Sequence, residues 1–443
     1  MRPVRRDRFR SSFLIVSLLL VADIGHAQEL QEEASGAKFQ TTYVWQRKYP
    51  FGAAYSGPNS LSADREKSYS FTATAALGAR LWSGGELYFD PEVAQGVPLS
   101  GLTGLGGFTN GEIARVTGPT PTLYRARLFA RQAWGFGGGK EKLESEANQL
   151  AGGVDRHRLV LTAGNLSVLD LFDDNAFSHD PRTQFLNWSL MTHGAYDYAA
   201  DARGYSWGLA LEYFHDDWAV RAGRFMMPKQ SNGLPLNPRI FDSFGDQLEF
   251  DRSHEVGGQP GKLRFLAFRN QASMGGFRDA IADASASGAA PDLAASRKQR
   301  VKYGFGVNLE QNLSPATGVF ARASWNNGEA ETFAFTEIDR SISAGVSVKG
   351  AGWGRPADSV GLAFARNGLS AAHRDYLAAG GLGFFLGDGA LSYRREDAIE
   401  SYYSLNLAKE IWVSAHVQRV FNPAYNADRG PVSVVSTRLH YGF

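Results

Sequence analysis

Apolar and polar residues alternate with a period of two along most of this chain, which restricts it to strands with two unlike faces. Phe39, Thr41, Tyr43 and Trp45 share one face. So do Tyr69, Phe71, Ala73, Ala75, Leu77, Ala79 and Leu81, and further on Trp207, Leu209, Leu211 and Tyr213. The pattern returns at Val301, Tyr303, Phe305, Val307 and Leu309, at Val360, Leu362 and Phe364, and at Ile411, Val413, Ala415 and Val417. The opposite faces are small or polar, as in Ser70, Thr72 and Thr74, or Lys302, Gly304, Gly306, Asn308 and Glu310. Strand-like runs number about sixteen, within the range of membrane barrels.

Alternation also occurs in soluble sandwiches, but their polar face looks outward and carries more charge. Apolar against lipid and polar against a lumen is the membrane-barrel arrangement. No stretch after the first residues approaches the ~18 continuous apolar residues of a membrane-crossing helix. A chain like this can sit in lipid only as a closed barrel, because helices and closed barrels alone satisfy every backbone polar group there. The expectation is an all-β, transmembrane antiparallel barrel, with an even strand count returning both termini to one side. About sixteen strands leave an aqueous channel.

The two ends of the chain agree with this. Arg2, Arg5, Arg6, Arg8 and Arg10 precede an apolar core at 12–22, and Gly25-His26-Ala27 supplies small residues for cleavage. Residues 1–27 therefore read as a secretory signal, with a barrel domain over 28–443. The chain closes on Phe443, with Tyr441, Leu439, Thr437 and Val435 stepping back by two. This resembles the C-terminal signature read by the outer-membrane assembly machinery, which becomes an expected partner beside outer-membrane lipid and lipopolysaccharide. The expected location is the outer membrane of a Gram-negative bacterium.

Composition removes several alternatives. Cysteine is absent, so disulfides and thiolate metal sites are excluded. Nine His show no ligand spacing, and no metal or cofactor is expected. A net charge of +1 gives no nucleic-acid footprint. Ser178-His179-Asp180 are consecutive and cannot meet as a catalytic triad, so the chain is read as no enzyme.

Several motifs occur in order: Gly85-Glu86-Leu87-Tyr88-Phe89-Asp90-Pro91-Glu92, Gly107-Phe108-Thr109-Asn110-Gly111-Glu112, and Leu123-Tyr124-Arg125-Ala126-Arg127-Leu128-Phe129. Asp170-Leu171-Phe172-Asp173-Asp174-Asn175 runs on through Asp180-Pro181-Arg182 to Asn187-Trp188, and Glu400-Ser401-Tyr402-Tyr403 lies near the end. Together they resemble the carbohydrate-selective outer-membrane porins of the OprB type, from about Gly85 to Phe443. The resemblance implies a sixteen-stranded barrel through which mono- and disaccharides diffuse passively. The alternatives are an anion- or organic-acid-selective pore or a general diffusion pore. The preferred sugar, the pore size and the oligomeric state stay open.

Arg125, Arg127 and Arg131 fall on one face of a strand, with Phe129 between them. Facing lipid, each would cost ~2–4 kcal/mol near the midplane, so they are expected to point into the lumen. There they form a selective ladder or neutralise neighbouring carboxylates. The acidic residues considered with them are Glu112, Asp173, Asp174, Asp180, Glu212 and Glu249, with Glu212 and Glu249 expected to face water. Four segments break the period: 94–119, with a weak helical or coil look; 168–202, polar and aromatic; 279–296, a short surface helix or a mobile loop with no role read into it; and 369–389, partly helical. The second segment holds His179, Asp180, Arg182, Gln184, Asn187 and Trp188, polar forks beside an aromatic ring. It is expected to fold inward as a constriction, lining the pore through Asp180, Arg182 and Trp188 or anchoring to the wall.

Overall fold

A computed structural model describes residues 32–113 and 117–443. The segment 1–27, read above as a secretory signal, lies outside the described residues. The strands are β1 (Ser35–Lys48), β2 (Glu66–Trp82), β3 (Gly85–Val97), β4 (Thr122–Gly135), β5 (Lys140–Leu143), β6 (Gly152–Asp155), β7 (Arg158–Leu166), β8 (Ser206–His215) and β9 (Trp218–Met226). They continue as β10 (Phe244–Val256), β11 (Gln259–Met274), β12 (Lys298–Ser314), β13 (Thr317–Asn326), β14 (Arg340–Gly350), β15 (Arg355–Gly368), β16 (Glu396–Ala408), β17 (Ile411–Phe421) and β18 (Val432–Gly442). All except β5 and β6 form one closed antiparallel barrel of sixteen strands. Its seam is β1 against β18, with Tyr43 opposite Leu439 and Gln40 opposite Gly442. The strand ending in the C-terminal aromatic therefore closes the wall.

The period-two reading decides which side chains meet lipid. Leu77, Tyr303, Phe305, Leu362 and Leu439 are exposed on the outer wall, Leu362 at 53%. Thr72, Thr74, Lys302 and Asn308 point inward and are buried, Asn308 at 0%. An apolar surface of that extent is stable only against lipid. No helix among the described residues is long and apolar enough to cross a membrane.

Turns of two residues, at 83–84, 216–217, 257–258, 315–316 and 409–410, lie at the end that holds both chain termini. Short turns mark the periplasmic end of such barrels. The opposite, extracellular end carries the long segments 49–65, 98–121, 167–205, 227–243, 275–297, 327–339, 369–395 and 422–431. Three of them contain α-helices, α1 (Trp188–Met191), α2 (Phe277–Ser287) and α3 (Ala371–Ala378), the last two where the sequence suggested helix. One periplasmic connection is not short. Residues 136–157, between β4 and β7, contain the hairpin β5–β6, and its tip turns back inside the barrel.

Candidate functional site

Segment 167–205 leaves β7 and crosses the lumen. Ser167 caps its first turn, and Asp170 returns a bond to the Ser167 N–H at 3.0 Å. The Asp170 carboxylate also receives Arg127 through Nε at 2.7 Å and Nη2 at 2.6 Å. Such bidentate pairs fix orientation as well as position. Asp173 sits in the left-handed region at φ 58° and is fully buried. Its carboxylate accepts from Arg322 Nε at 3.1 Å, Asn308 Nδ2 and Thr192 Oγ1 at 2.5 Å each, and the His193 N–H at 2.7 Å. Burial alone would raise this carboxyl; Arg322 and the converging donors hold it well below the usual range. Farther along, the N–H groups of Leu186 and Asn187 donate to Glu400 at 2.8 and 2.9 Å. Arg438 of β18 donates to the carbonyls of Pro181, Gln184 and Thr183. The bare inner wall explains itself at Gly306, where a Cβ would lie 2.5 Å from His193 Nε2.

The space left beside this segment is a channel in two parts. The extracellular cavity, of about 630 Å³, is lined by Glu92, Glu112, Tyr124, Arg127, Trp188 and Tyr205 among others. The periplasmic cavity, of about 790 Å³, is lined by Lys38, Trp412, Arg438, His440 and Phe443 among others. Both touch Gln40, Thr74, Ala76, Glu146, Ala147 and Arg182, so the two cavities adjoin at a waist. Arg182 hangs into it from the extracellular end. Its Nε donates to Glu112 at 2.7 Å, Nη2 to Glu92 at 2.9 Å and Nη1 to Thr74 at 3.1 Å. Glu92 also accepts from Thr74 at 2.5 Å and from Tyr124. Glu146 and Ala147 reach the same level on the tip of the β5–β6 insert. Asn148 Nδ2 donates to Asp90 at 2.9 Å, Arg131 donates to the Asn148 carbonyl at 3.0 Å, and the Leu150 N–H donates to Tyr88 Oη at 3.2 Å.

The arginines expected on one face do not share it. Asp90 pairs across the sheet with Arg127, and Pro91 pairs with Arg125, so Ala126 has no partner. This bulge turns Arg125 to the outside, where its guanidinium lies 5.0 Å from the Trp207 ring. Arg127 and Arg131 face the lumen, Arg131 lying 3.9 Å from Glu86 and over the Tyr88 ring. Pro91, which has no N–H to give a ladder, was the legible cue.

Glu112 and Arg182 meet directly, and both border the extracellular cavity. Asp180 borders it as well, but its carboxylate accepts the Arg182 N–H at 2.9 Å and the Thr183 hydroxyl at 3.0 Å, shaping its own turn. Trp188 borders the cavity with one edge. Its ring stacks on Phe335 at 5.6 Å, and Nε1 donates to the Asn110 carbonyl at 2.7 Å. Glu212 and Glu249 do not face open water. Glu212 receives Arg221 at 2.7 Å, and Arg221 also reaches Glu249 and Asp251, a buried network beneath segment 167–205. Sequence reasoning missed Glu92, Tyr124, Tyr205 and the 136–157 insert, whose charged, Gly-rich composition reads as an ordinary surface connection. At the periplasmic rim, donor atoms of His157, His215 and Asp216 come within 4.8 Å of one another. The two imidazoles stack face to face at 3.9 Å and 9°, so their lone pairs run parallel instead of converging on an ion.

A closed barrel with an apolar outer wall, a polar lumen and an inserted segment that narrows it defines a diffusion pore of the outer membrane. The profile of the carbohydrate-selective porin, OprB family, matches residues 59–443, and the chain belongs to that family, whose members are passive channels of the Gram-negative outer membrane. Among solved structures, OprB of Pseudomonas putida is similar at 17% identity and a TM-score of 0.66, covering 92% of this chain and 94% of that one. OccK2 (OpdF) of Pseudomonas aeruginosa shares 9% identity at a TM-score of 0.45, covering 92% and 97%. OmpT of Vibrio cholerae, as a loop deletion mutant, shares 10% identity at 0.46, covering 93% and 100%. A search of curated proteins by sequence gives no match.

Proposed function

We propose that the protein admits mono- and disaccharides to the periplasm by passive diffusion, and that selection occurs at the waist between Arg182 and the insert tip at Glu146 and Ala147. The observation that carries this reading is charge pairing. Arg182 faces Glu92 and Glu112, and Arg127 faces Asp90 and Asp170. Both guanidinium groups are covered by carboxylates, so the lining holds water and offers hydrogen-bond donors and acceptors without an uncovered positive charge. Neutral polyols suit such a lining, and Tyr124 and Tyr205 border the same cavity. The same pairing argues against a strongly anion-selective pore.

Liposomes holding the purified protein should swell in isotonic glucose and maltose without an energy source. Absence of sugar-dependent swelling would overturn the proposal. Strong anion preference in a planar bilayer, with no block by sugars, would favour the anion pore instead. The reading also takes 1–27 as a cleaved leader and the closing strand through Phe443 as the segment engaged by the assembly machinery.

A further inference from the structure

The barrel wall carries a notch at its extracellular edge. β7 stops at Leu166, which pairs with Ser206 of β8. β4 runs farther, but its pairing with β7 begins only at Leu128 opposite Asn165. Residues 122–127 of β4 therefore have no strand on that side. Asn165 Nδ2 bridges the step by donating to the Ala126 carbonyl at 2.7 Å. Above the end of β7 lies a cavity of about 350 Å³, bordered by Arg125, Arg203, Trp207, Tyr205, Asp201 and Leu236 among others.

Two guanidinium groups line this cavity. Arg125 lies over Trp207 at 5.0 Å, and Arg203 lies over Tyr124 at 4.6 Å. Among the described residues, neither side chain has a hydrogen bond or an ion pair. Five inward arginines differ: Arg127, Arg182, Arg221, Arg264 and Arg322 each meet at least one carboxylate. Asp201 is the one carboxylate in the cavity lining, and its Oδ1 accepts the N–H of Arg203 at 2.9 Å and of Tyr205 at 3.1 Å. It serves the backbone turn and also attracts the Arg203 guanidinium through space, without a direct side-chain bond, while Arg125 has no such counter-charge in the lining. A ring beneath a guanidinium fixes the plane while leaving the in-plane N–H donors free.

We propose that Arg125 and Arg203 form an anion site for a phosphate monoester at the lipid-facing rim of the pore. A monoester carries about −1.5 to −2 charges and three acceptor oxygens, which two planar forks match. Arg125 is set near the extracellular end of β4, where an outward arginine costs ~0–1 kcal/mol and where lipid headgroups lie. The phosphate can come from an outer-leaflet lipid headgroup or from a phosphorylated solute at the mouth. This site is separate from the waist, so its failure leaves the sugar-diffusion reading untouched.

The test compares wild type with the double variant Arg125→Gln/Arg203→Gln, both folded by heat-mobility on gels. One arm measures retention of bis-phosphorylated lipid A against dephosphorylated lipid A in micelles by native mass spectrometry. The other measures glucose 6-phosphate against glucose by calorimetry. Wild type should favour the phosphorylated probe at least roughly tenfold in one arm, as expected for charge-assisted forks, and the double variant should lose that preference. Preference in the lipid arm alone assigns the headgroup source, and preference in the sugar arm alone assigns the solute. No preference in either arm, or a preference that survives both substitutions, overturns the site. Should the Gln pair fail to fold, Arg125→Lys/Arg203→Lys keeps the charge without the fork. A several-fold loss then supports the site, and an unchanged preference overturns it.

Discussion

Asp173 and Arg322 meet at 3.1 Å with neither side chain exposed beyond 1%, and this contact pins segment 167–205 to β13, far round the barrel from its root at Leu166. Arg322→Met leaves the Asp173 charge buried without its main partner. Removing one member of a buried pair costs ~3–5 kcal/mol. The variant should melt earlier and show larger, noisier single-channel currents as the segment loosens. Wild-type currents with an unchanged melting temperature would contradict the tether.

Arg182→Gln should leave Glu92 and Glu112 uncompensated at the waist. The expected result is a shift of the reversal potential toward cation preference in a salt gradient, with a wider aperture and faster sugar swelling. An unmoved reversal potential would remove Arg182 from the selectivity mechanism.

Glu112 supplies a pH dependence. Burial raises its carboxyl to about 7, against the pull of Arg182. The folded state therefore binds this proton more tightly than the unfolded chain does. Its contribution to stability is full below the ordinary carboxylate value near 4.5 and is lost as pH rises to about 7. Cation preference should grow as pH rises through about 7, where the Glu112 charge appears in the folded pore. Glu112→Gln should flatten that rise, and a persistent rise would assign it to another group.

The bulge at Ala126 shows how far the sequence could be read. Alternation alone gave the barrel, its outer face and the closing strand, because lipid imposes the same rule on every strand. In the structure Arg127 and Arg131 face the lumen and Arg125 does not, since one unpaired residue reverses every side chain beyond it. The meeting of Arg182 with Glu112 was not legible either: it joins two long segments that periodicity does not describe. The insert at 136–157 was hidden for a related reason. Its tip is held by single bonds to Asp90, Arg131 and Tyr88, and such contacts leave no period in a sequence.

Replacing residues 140–155 with a short Gly linker should raise single-channel conductance and admit larger oligosaccharides, because Glu146 and Ala147 no longer border the waist. The barrel itself should persist, as β5 and β6 are not in its wall. Unchanged conductance and size cut-off would show that the insert does not narrow the pore.

Leu362→Arg tests the lipid face. Leu362 is near the middle of β15 and outward, so the charge should cost ~2–4 kcal/mol. Refolding yield into bilayers should fall well below that of Arg322→Lys, which keeps an inward charge. Equal yields would mean that this face does not meet lipid.

Arg438 carries a consequence for timing. It lies on the last strand and donates to three carbonyls within residues 181–184. Those residues leave the ribosome long before Arg438 exists, and they acquire this support only when β18 docks against β1. A partly inserted chain can have most of its wall and still lack a finished filter. Closing the cylinder and completing the support of its constriction are thus one late event.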